Sequence, residues 1–223
     1  MREITKNIFR FFLLIICGVG LSWQLGMLSG DFDSFQLIFY TIQSDFLIFL
    51  TYLFLVLTSF FQSLYQRKFI SKDVSANLLG KLTLLAVLSS VADNFFTTPS
   101  TVDPRVIFLL HHFLPLLMLL DWFIFVPKAE IKQTKPLTWI IFPLLYWLFI
   151  VVRATFYLPL RNSFSCYPYS YLDADLLGWP TVFVHMFALL LLLLIIGYAL
   201  KKIGSGRYLQ VLKCWLKNNK KIM

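Results

Sequence analysis

The segment 105–127 reads RVIFLLHHFLPLLMLLDWFIFVP and is long enough to cross a membrane as a helix. It also contains residues that are rare in such helices, namely His111, His112, Pro115 and Asp121. Ionisable side chains are costly in hydrocarbon, so they usually face a protein interior or a wet cavity and mark a functional site. We therefore interpret this segment as a membrane helix with a polar face turned into the protein.

Pro115 adds a second feature to the same helix. Because proline has no backbone N–H, it leaves the carbonyl of His111 without its usual helical donor and favours a kink there. A kinked helix with a free acceptor beside a histidine is suited to a polar pocket. The alternative is that these residues only pack and hydrogen-bond between helices. Asp121 lies ten residues beyond His111, about 15 Å along the axis, so we interpret it as a polar anchor near the inner end, with Trp122 at the interface.

The composition of the whole chain indicates an integral membrane protein. Of the 223 residues, 59% are hydrophobic and only 14% are charged. The net charge of +9 does not indicate nucleic-acid binding, because the basic residues lie in short loops and the C-terminal tail. The three cysteines occur in unrelated settings and form no disulfide or metal-binding pattern, and we expect no metal or cofactor.

Apolar periodicity predicts an all-α, polytopic bundle of six transmembrane helices. The connections are short, so consecutive helices should be antiparallel neighbours. Residues 1–200 form this domain, and the basic tail 201–223 is either an amphipathic segment at the membrane surface or a solvated tail. The predicted spans are 8–28, 36–61, 78–96, 106–126, 137–158 and 179–200.

Positive charge is concentrated before the first span, after the second and fourth spans, and in the tail. Lysine and arginine are retained on the cytoplasmic side of membranes, whereas the other loops carry mostly aspartate. The charge distribution therefore predicts that both termini are cytoplasmic.

Polar residues from five spans fall at a similar predicted depth near the outer surface, counted at about 1.5 Å per residue. This coincidence predicts a polar cavity that opens toward the outer leaflet. The residues are Thr41 and Asp45, Asp93, His111 and His112, Arg153, and His185.

A threonine beside a histidine is the minimum required for nucleophilic acyl chemistry, because the imidazole can take the hydroxyl proton and return it to the leaving group. Thr41 and Asp45 are four residues apart and share a helix face. The competing interpretation is that Thr41 bonds its own backbone or a neighbouring helix. His185 is a second base, an oxyanion donor or a packed interior residue, and the sequence does not separate these roles.

The loop 158–179 is the longest on the outer side and contains Tyr167, Tyr169 and Tyr171 around a proline. Such a segment is either a cap over the cavity, binding substrate, or an ordinary aromatic belt at the headgroup level.

Three short motifs resemble a known family: FYTIQSD at 39–45, LLHHFLPLLMLLDW at 109–122 and YPYSYLD at 167–173. Together they are similar to the bacterial six-helix membrane proteins related to the androgen-induced, TFPI-regulating membrane hydrolases of eukaryotes. Those enzymes split fatty-acid esters of hydroxy fatty acids with one threonine and one histidine. The resemblance implies Thr41 as the nucleophile and His111 as the base, with His112 as the alternative, and implies a bacterial cytoplasmic membrane location.

The leading hypothesis is an intramembrane threonine hydrolase that acts on a lipid ester, with Asp45, His112 or His185 orienting groups or stabilising charge. The expected partners are membrane lipids and a hydrophobic ester, and no nucleic acid. The alternative is a transporter or binding protein for a lipid or small molecule, which would use the same cavity without covalent chemistry. A structural membrane component is the third possibility.

Overall fold

A computed structural model of the protein describes residues 2–65, 75–96, 103–156 and 165–206. Throughout these residues the secondary structure is helical, without strands. Short helical segments at Ser34–Ile38, Lys128–Gln133, Ser170–Leu172 and Ala174–Leu177 connect longer ones. The long helices are α1 (Arg2–Gln24), α2 (Tyr40–Tyr65), α3 (Ala76–Phe96), α4 (Pro104–Ile124), α5 (Pro136–Thr155) and α6 (Trp179–Gly204).

Five of these helices are long and apolar enough to cross a membrane, which confirms that the chain has the character of an integral membrane protein. They are α1, α2, α4, α5 and α6. On α6, four residues spaced four apart form an exposed apolar stripe: Phe183, Phe187, Leu191 and Ile195. Such a stripe would be unfavourable in water but is expected against lipid.

The helix α3 has a shorter apolar stretch, Ala76–Val91, and lies at the centre of the bundle. It packs against α2, α4, the start of α5 and α6. Side chains on several of its faces are fully or nearly fully buried, including Leu82, Leu84 and Ala86. Because its neighbours shield it from the surroundings, α3 does not need the continuous hydrophobicity of a helix that faces lipid.

Close packing around α3 depends on Gly80. A Cβ atom at this position would collide with the indole of Trp139 and would lie 3.0 Å from that of Trp122. Both indoles are buried and meet edge to face, with ring centroids 5.8 Å apart. The Trp122 N–H donates to the Leu200 carbonyl at 3.3 Å, so this indole also packs against α6.

Asp121, which the sequence predicts to be a polar anchor, is a buried member of an ion pair. Arg10 of α1 and Tyr52 of α2 both donate to its carboxylate. This arrangement joins three helices through one charged group.

The helix α4 changes type shortly before Pro115. Residues Phe108–Phe113 form a π-helical turn inside α4, and the Leu114 N–H donates to the Leu109 carbonyl, five residues back. Pro115 has no backbone N–H, so it cannot donate to the carbonyl of His111, which lies in this turn. Turns of this kind occur frequently at functional sites.

Several helix ends differ from the predicted spans. The helix α1 already begins at Arg2, and α6 continues to Gly204, so Lys201 and Lys202 belong to the helix and not to the tail. Hydropathy locates the part of a helix that lies in hydrocarbon, but backbone hydrogen bonding continues into polar residues beyond it. The tail from 207 to 223, with its predicted surface or solvated character, lies outside the described residues.

Candidate functional site

His111 is buried in the π-helical turn of α4, and its imidazole contacts a hydroxyl of α3. The Nδ1 atom of His111 lies 3.1 Å from Oγ of Ser89, which has no exposed surface. When Nδ1 donates a hydrogen bond to this hydroxyl, the basic nitrogen of the ring is Nε2. Ser89 therefore has the position of a group that fixes the orientation of the His111 imidazole.

His112 has the opposite environment, although it is the next residue. Its side chain is exposed, whereas only 8% of His111 is exposed. Consecutive residues on a helix point about 100° apart, so the same turn presents one imidazole to the bundle and the other to its outer surface. This placement favours His111 over His112 as the histidine of an internal site.

Thr41 lies in the first turn of α2, where the loop segment 165–173 packs against it. Its side chain interacts with the phenol of Tyr169. Burial raises the pKa of the Tyr169 phenol to about 12, and hydrogen bonding that involves Thr41 and Tyr146 opposes part of that rise. The Tyr169 phenol is therefore protonated at neutral pH.

Four tyrosines gather beside Thr41 and form a continuous aromatic cluster. Tyr146 lies between Tyr40 and Tyr169, with ring centroids 5.2 and 6.3 Å away, and Tyr169 stacks on Tyr171 at 5.4 Å. These rings, with apolar side chains of α3, α5 and α6, line a cavity of about 30 Å³. That volume has room for about two water molecules, so a larger ligand would require the cluster to open.

Polar contacts fix the loop segment 165–173 to α5 and α6. Arg153 of α5 donates to the Cys166 carbonyl at 2.7 Å, and Nδ1 of His185 on α6 lies 2.9 Å from the Tyr171 carbonyl. A carbonyl can only accept, so this contact requires a proton on Nδ1 of His185. Residues 165–173 thus contact Thr41, Arg153 and His185, which belong to three different helices.

Asp45 is buried one turn below Thr41 and has no exposed surface. Neither of its carboxylate oxygens has a hydrogen-bond partner. Its backbone carbonyl accepts a hydrogen bond from the Cys17 thiol of α1, at 3.4 Å. Asp45 thus contrasts with Asp121, whose oxygens are all engaged.

The remaining predicted residues lie apart from this arrangement or outside it. Tyr167 is buried, and its backbone N–H donates to the hydroxyl of Ser165. The side chain of Asp93, near the end of α3, lies outside the described residues, so its predicted role is neither supported nor opposed.

Two members of the site were not identified from the sequence, namely Ser89 and Tyr146. Serine is common in membrane helices, where it often bonds its own backbone, so Ser89 carried no distinctive signal in a sequence of this kind. Tyr146 lies mid-way through an apolar span and resembles an ordinary packing residue. A count of depth along α3 and α5 would have placed both residues at the level of His111 and Thr41.

Comparisons of the chain with family models, with curated proteins and with solved structures gave no significant match.

Proposed function

We propose that the protein is an intramembrane hydrolase that cleaves a lipid ester, with Thr41 as the nucleophile and His111 as the general base. The observation that carries this proposal is the buried contact between His111 Nδ1 and Ser89 Oγ at 3.1 Å. A general base in acyl transfer requires one ring nitrogen held by an orienting group and the other free to accept a proton. The resemblance of the Thr41 and His111 motifs to the threonine hydrolase family supports the same assignment.

In the proposed reaction, His111 Nε2 takes the proton of the Thr41 hydroxyl as its oxygen attacks the ester carbonyl. The resulting tetrahedral intermediate collapses, the alcohol leaves with the proton from His111, and the acyl group remains on Thr41. Water, deprotonated in turn by His111, then hydrolyses this acyl-enzyme and restores the threonine. The reaction requires Thr41 Oγ1 and His111 Nε2 to approach to about 3 Å when substrate is bound.

Tyr169 is the residue placed to stabilise the oxyanion. Its phenol interacts with the Thr41 side chain and, with a pKa of about 12, stays protonated at neutral pH. A donor aimed at the charge that develops on the carbonyl oxygen is worth roughly 10²–10³ in rate. Arg153 and His185 act as positioning residues, because each holds a carbonyl of the same loop.

The substrate class follows from the surroundings of these residues. The cavity walls are aromatic and aliphatic, and the outer surface of the bundle is apolar. Acyl chains can remain in an apolar environment while the ester meets the polar residues near the outer end. A hydrophobic ester that reaches the site from the membrane fits this division.

Labelling with a fluorophosphonate probe tests the assignment of the nucleophile. The purified protein in detergent should form one covalent adduct, which peptide mass spectrometry should locate at Thr41. Thr41→Ala and His111→Ala should both abolish the adduct, and Thr41→Ser should retain it. Persistence of the adduct in Thr41→Ala, with its loss in Ser89→Ala, would show that Ser89 is the nucleophile instead.

A second candidate function is the binding or transport of a lipid or small molecule without covalent chemistry. The tyrosine-lined cavity favours it, because Thr41 and His111 are not among the residues of its wall. A transporter would move substrate across proteoliposomes without forming product, and its flux would survive Thr41→Ser and Thr41→Ala alike.

We further propose that α3 is the sixth membrane span and that both termini are cytoplasmic, in the cytoplasmic membrane of a bacterium. With six spans the termini lie on one side, whereas five spans would place them on opposite sides. The concentration of lysine and arginine in the tail and before α1 supports the cytoplasmic side. Reporter fusions at both ends should give the same cytoplasmic signal, and opposite signals would exclude the six-span topology.

A further inference from the structure

Asp45 presents an unusual combination of burial and isolation. Its side chain is completely inaccessible, yet both carboxylate oxygens lack a hydrogen-bond partner. An ionised carboxylate without a partner costs several kcal/mol in a membrane interior, and proteins retain such residues mainly at functional sites. A positive charge must therefore neutralise Asp45 for this packing to exist.

Among the residues that the structure describes, the groups around Asp45 do not supply that charge. The titratable side chains that interact with it electrostatically are Cys17 of α1 and Tyr40 of its own helix, and neither is a cation. Farther along α1, Arg10 is engaged by Asp121. On α4, His111 contacts Ser89.

The lysine of α3 is also at the wrong end of the bundle. Lys81 lies in the second turn of α3, and Asp45 lies in the second turn of α2. The two helices are consecutive and antiparallel, so these turns are at opposite ends, roughly 20–30 Å apart at 1.5 Å per residue.

A metal ion does not fit the surroundings of Asp45 either. Hard cations such as Ca²⁺ take six to eight oxygen ligands, and Mg²⁺ takes six. Within the described segments, no three His, Cys, Asp or Glu side chains come together in a way that could hold an ion. A proton, in contrast, needs only one carboxylate oxygen and no additional space.

We propose that Asp45 is a proton-binding site inside the membrane domain. In the packed structure its carboxylate holds one proton taken from the aqueous phase, as an O–H bond on one oxygen, and is neutral. The proton is released when α1 and α2 separate enough for water to reach the carboxylate. The site is independent of the Thr41 and His111 chemistry, because neither residue contacts the Asp45 side chain through a hydrogen bond.

Labelling with dicyclohexylcarbodiimide tests this proposal on the full-length protein in detergent. The reagent is apolar and adds to carboxylic acids in their protonated form, giving a stable acylurea that mass spectrometry locates. We expect one adduct on the peptide that contains Asp45 and its complete loss in Asp45→Asn. Asp121 is the internal control, because its carboxylate is paired with Arg10 and should stay unlabelled.

Two further measurements make a negative result informative. Arg10→Gln removes the partner of Asp121 and should make that carboxyl reactive, which shows that the reagent reaches the bundle interior. If Asp121 is then labelled and Asp45 is not, the proposal is wrong. Should Arg10→Gln fail to fold, infrared difference spectra of wild type minus Asp45→Asn decide the matter: a protonated-acid carbonyl band supports the proposal, and carboxylate bands overturn it.

Discussion

Arg10 and Asp121 form a bidentate ion pair between α1 and α4, with Nε–Oδ1 and Nη2–Oδ2 distances of 3.0 and 3.3 Å. The Asp121 side chain is 1% exposed and that of Arg10 is 7% exposed. A third donor, the Tyr52 hydroxyl of α2, completes the environment of Oδ2 at 3.0 Å. The carboxylate is thus fully satisfied, which distinguishes it from Asp45 in the same bundle.

Asp45 and Asp121 should respond differently to replacement by asparagine. Asp121→Asn leaves the guanidinium of Arg10 buried without a counter-charge and should cost about 3–5 kcal/mol of stability. Asp45→Asn removes a carboxyl that has no partner and should be neutral or stabilising. Thermal unfolding in detergent, followed by circular dichroism, measures both. Equal losses in the two variants would contradict this account of their environments.

Close packing at Gly80 should make this position intolerant of even one methyl group. Gly80→Ala places a Cβ against Trp139 and Trp122, which are buried and cannot move aside, so we expect a loss of roughly 1–3 kcal/mol. Gly18→Ala is the matched control, because its Cβ meets only the edge of the half-buried Phe49 ring, at 3.0 Å. Unfolding midpoints that fall by the same amount in both variants would show that packing against the two indoles is not the cause.

Ser89→Ala should lower turnover if Ser89 holds the imidazole of His111. Without this contact the ring loses its fixed orientation, so we expect at least about a tenfold decrease in kcat, smaller than the roughly 10²–10⁴-fold decrease for His111→Ala. Hydrolysis of a chromogenic fatty-acid ester measures both values. A change in the pH profile of kcat, partly rescued in Ser89→Thr, would distinguish a positioning role from a loss of folding.

Because of Tyr169, the free energy of unfolding should fall as the pH becomes alkaline. The pKa of its phenol is about 12 in the folded protein and near 10 when exposed, so the unfolded state ionises first as pH rises. The stabilising contribution is complete below pH 10 and is lost as pH approaches 12. Wild type should therefore lose stability more steeply than Tyr169→Phe across this interval, as measured by unfolding midpoints at each pH. Parallel curves would show that Tyr169 is not the group responsible.

The hydrogen bond from Arg153 to the Cys166 carbonyl should protect the loop segment 165–173 from proteases. Arg153→Ala removes the hydrogen bond to the Cys166 carbonyl and should free the loop that carries Tyr169. Limited proteolysis with chymotrypsin should then cleave near Tyr167 to Tyr171 faster than in wild type. Arg105→Ala is the control, because that side chain is exposed and pairs with Asp103 elsewhere on the outer surface.

The sequence predicted where polar residues lie along the membrane normal, because depth depends only on position within a span. It therefore predicted that Thr41, His111, Arg153 and His185 share one layer, and in the structure one loop contacts Thr41, Arg153 and His185. The sequence did not predict how each helix is rotated about its own axis, which decides the side chains that face the interior. His111 and His112 are equivalent by depth, and only the packing of α4 against α3 determines which one is buried.

By itself, the sequence determined that this chain is helical and membrane-embedded, since runs of about 20 apolar residues can satisfy their backbone in lipid only as helices. Tertiary structure alone decided which polar groups meet. It paired Asp121 with Arg10 across 111 residues of sequence, brought Ser89 to His111, and left Asp45 without a partner. The physical reason is that hydrogen bonds and ion pairs depend on distances within a few ångströms across helix interfaces, and side-chain packing sets those distances rather than local sequence pattern.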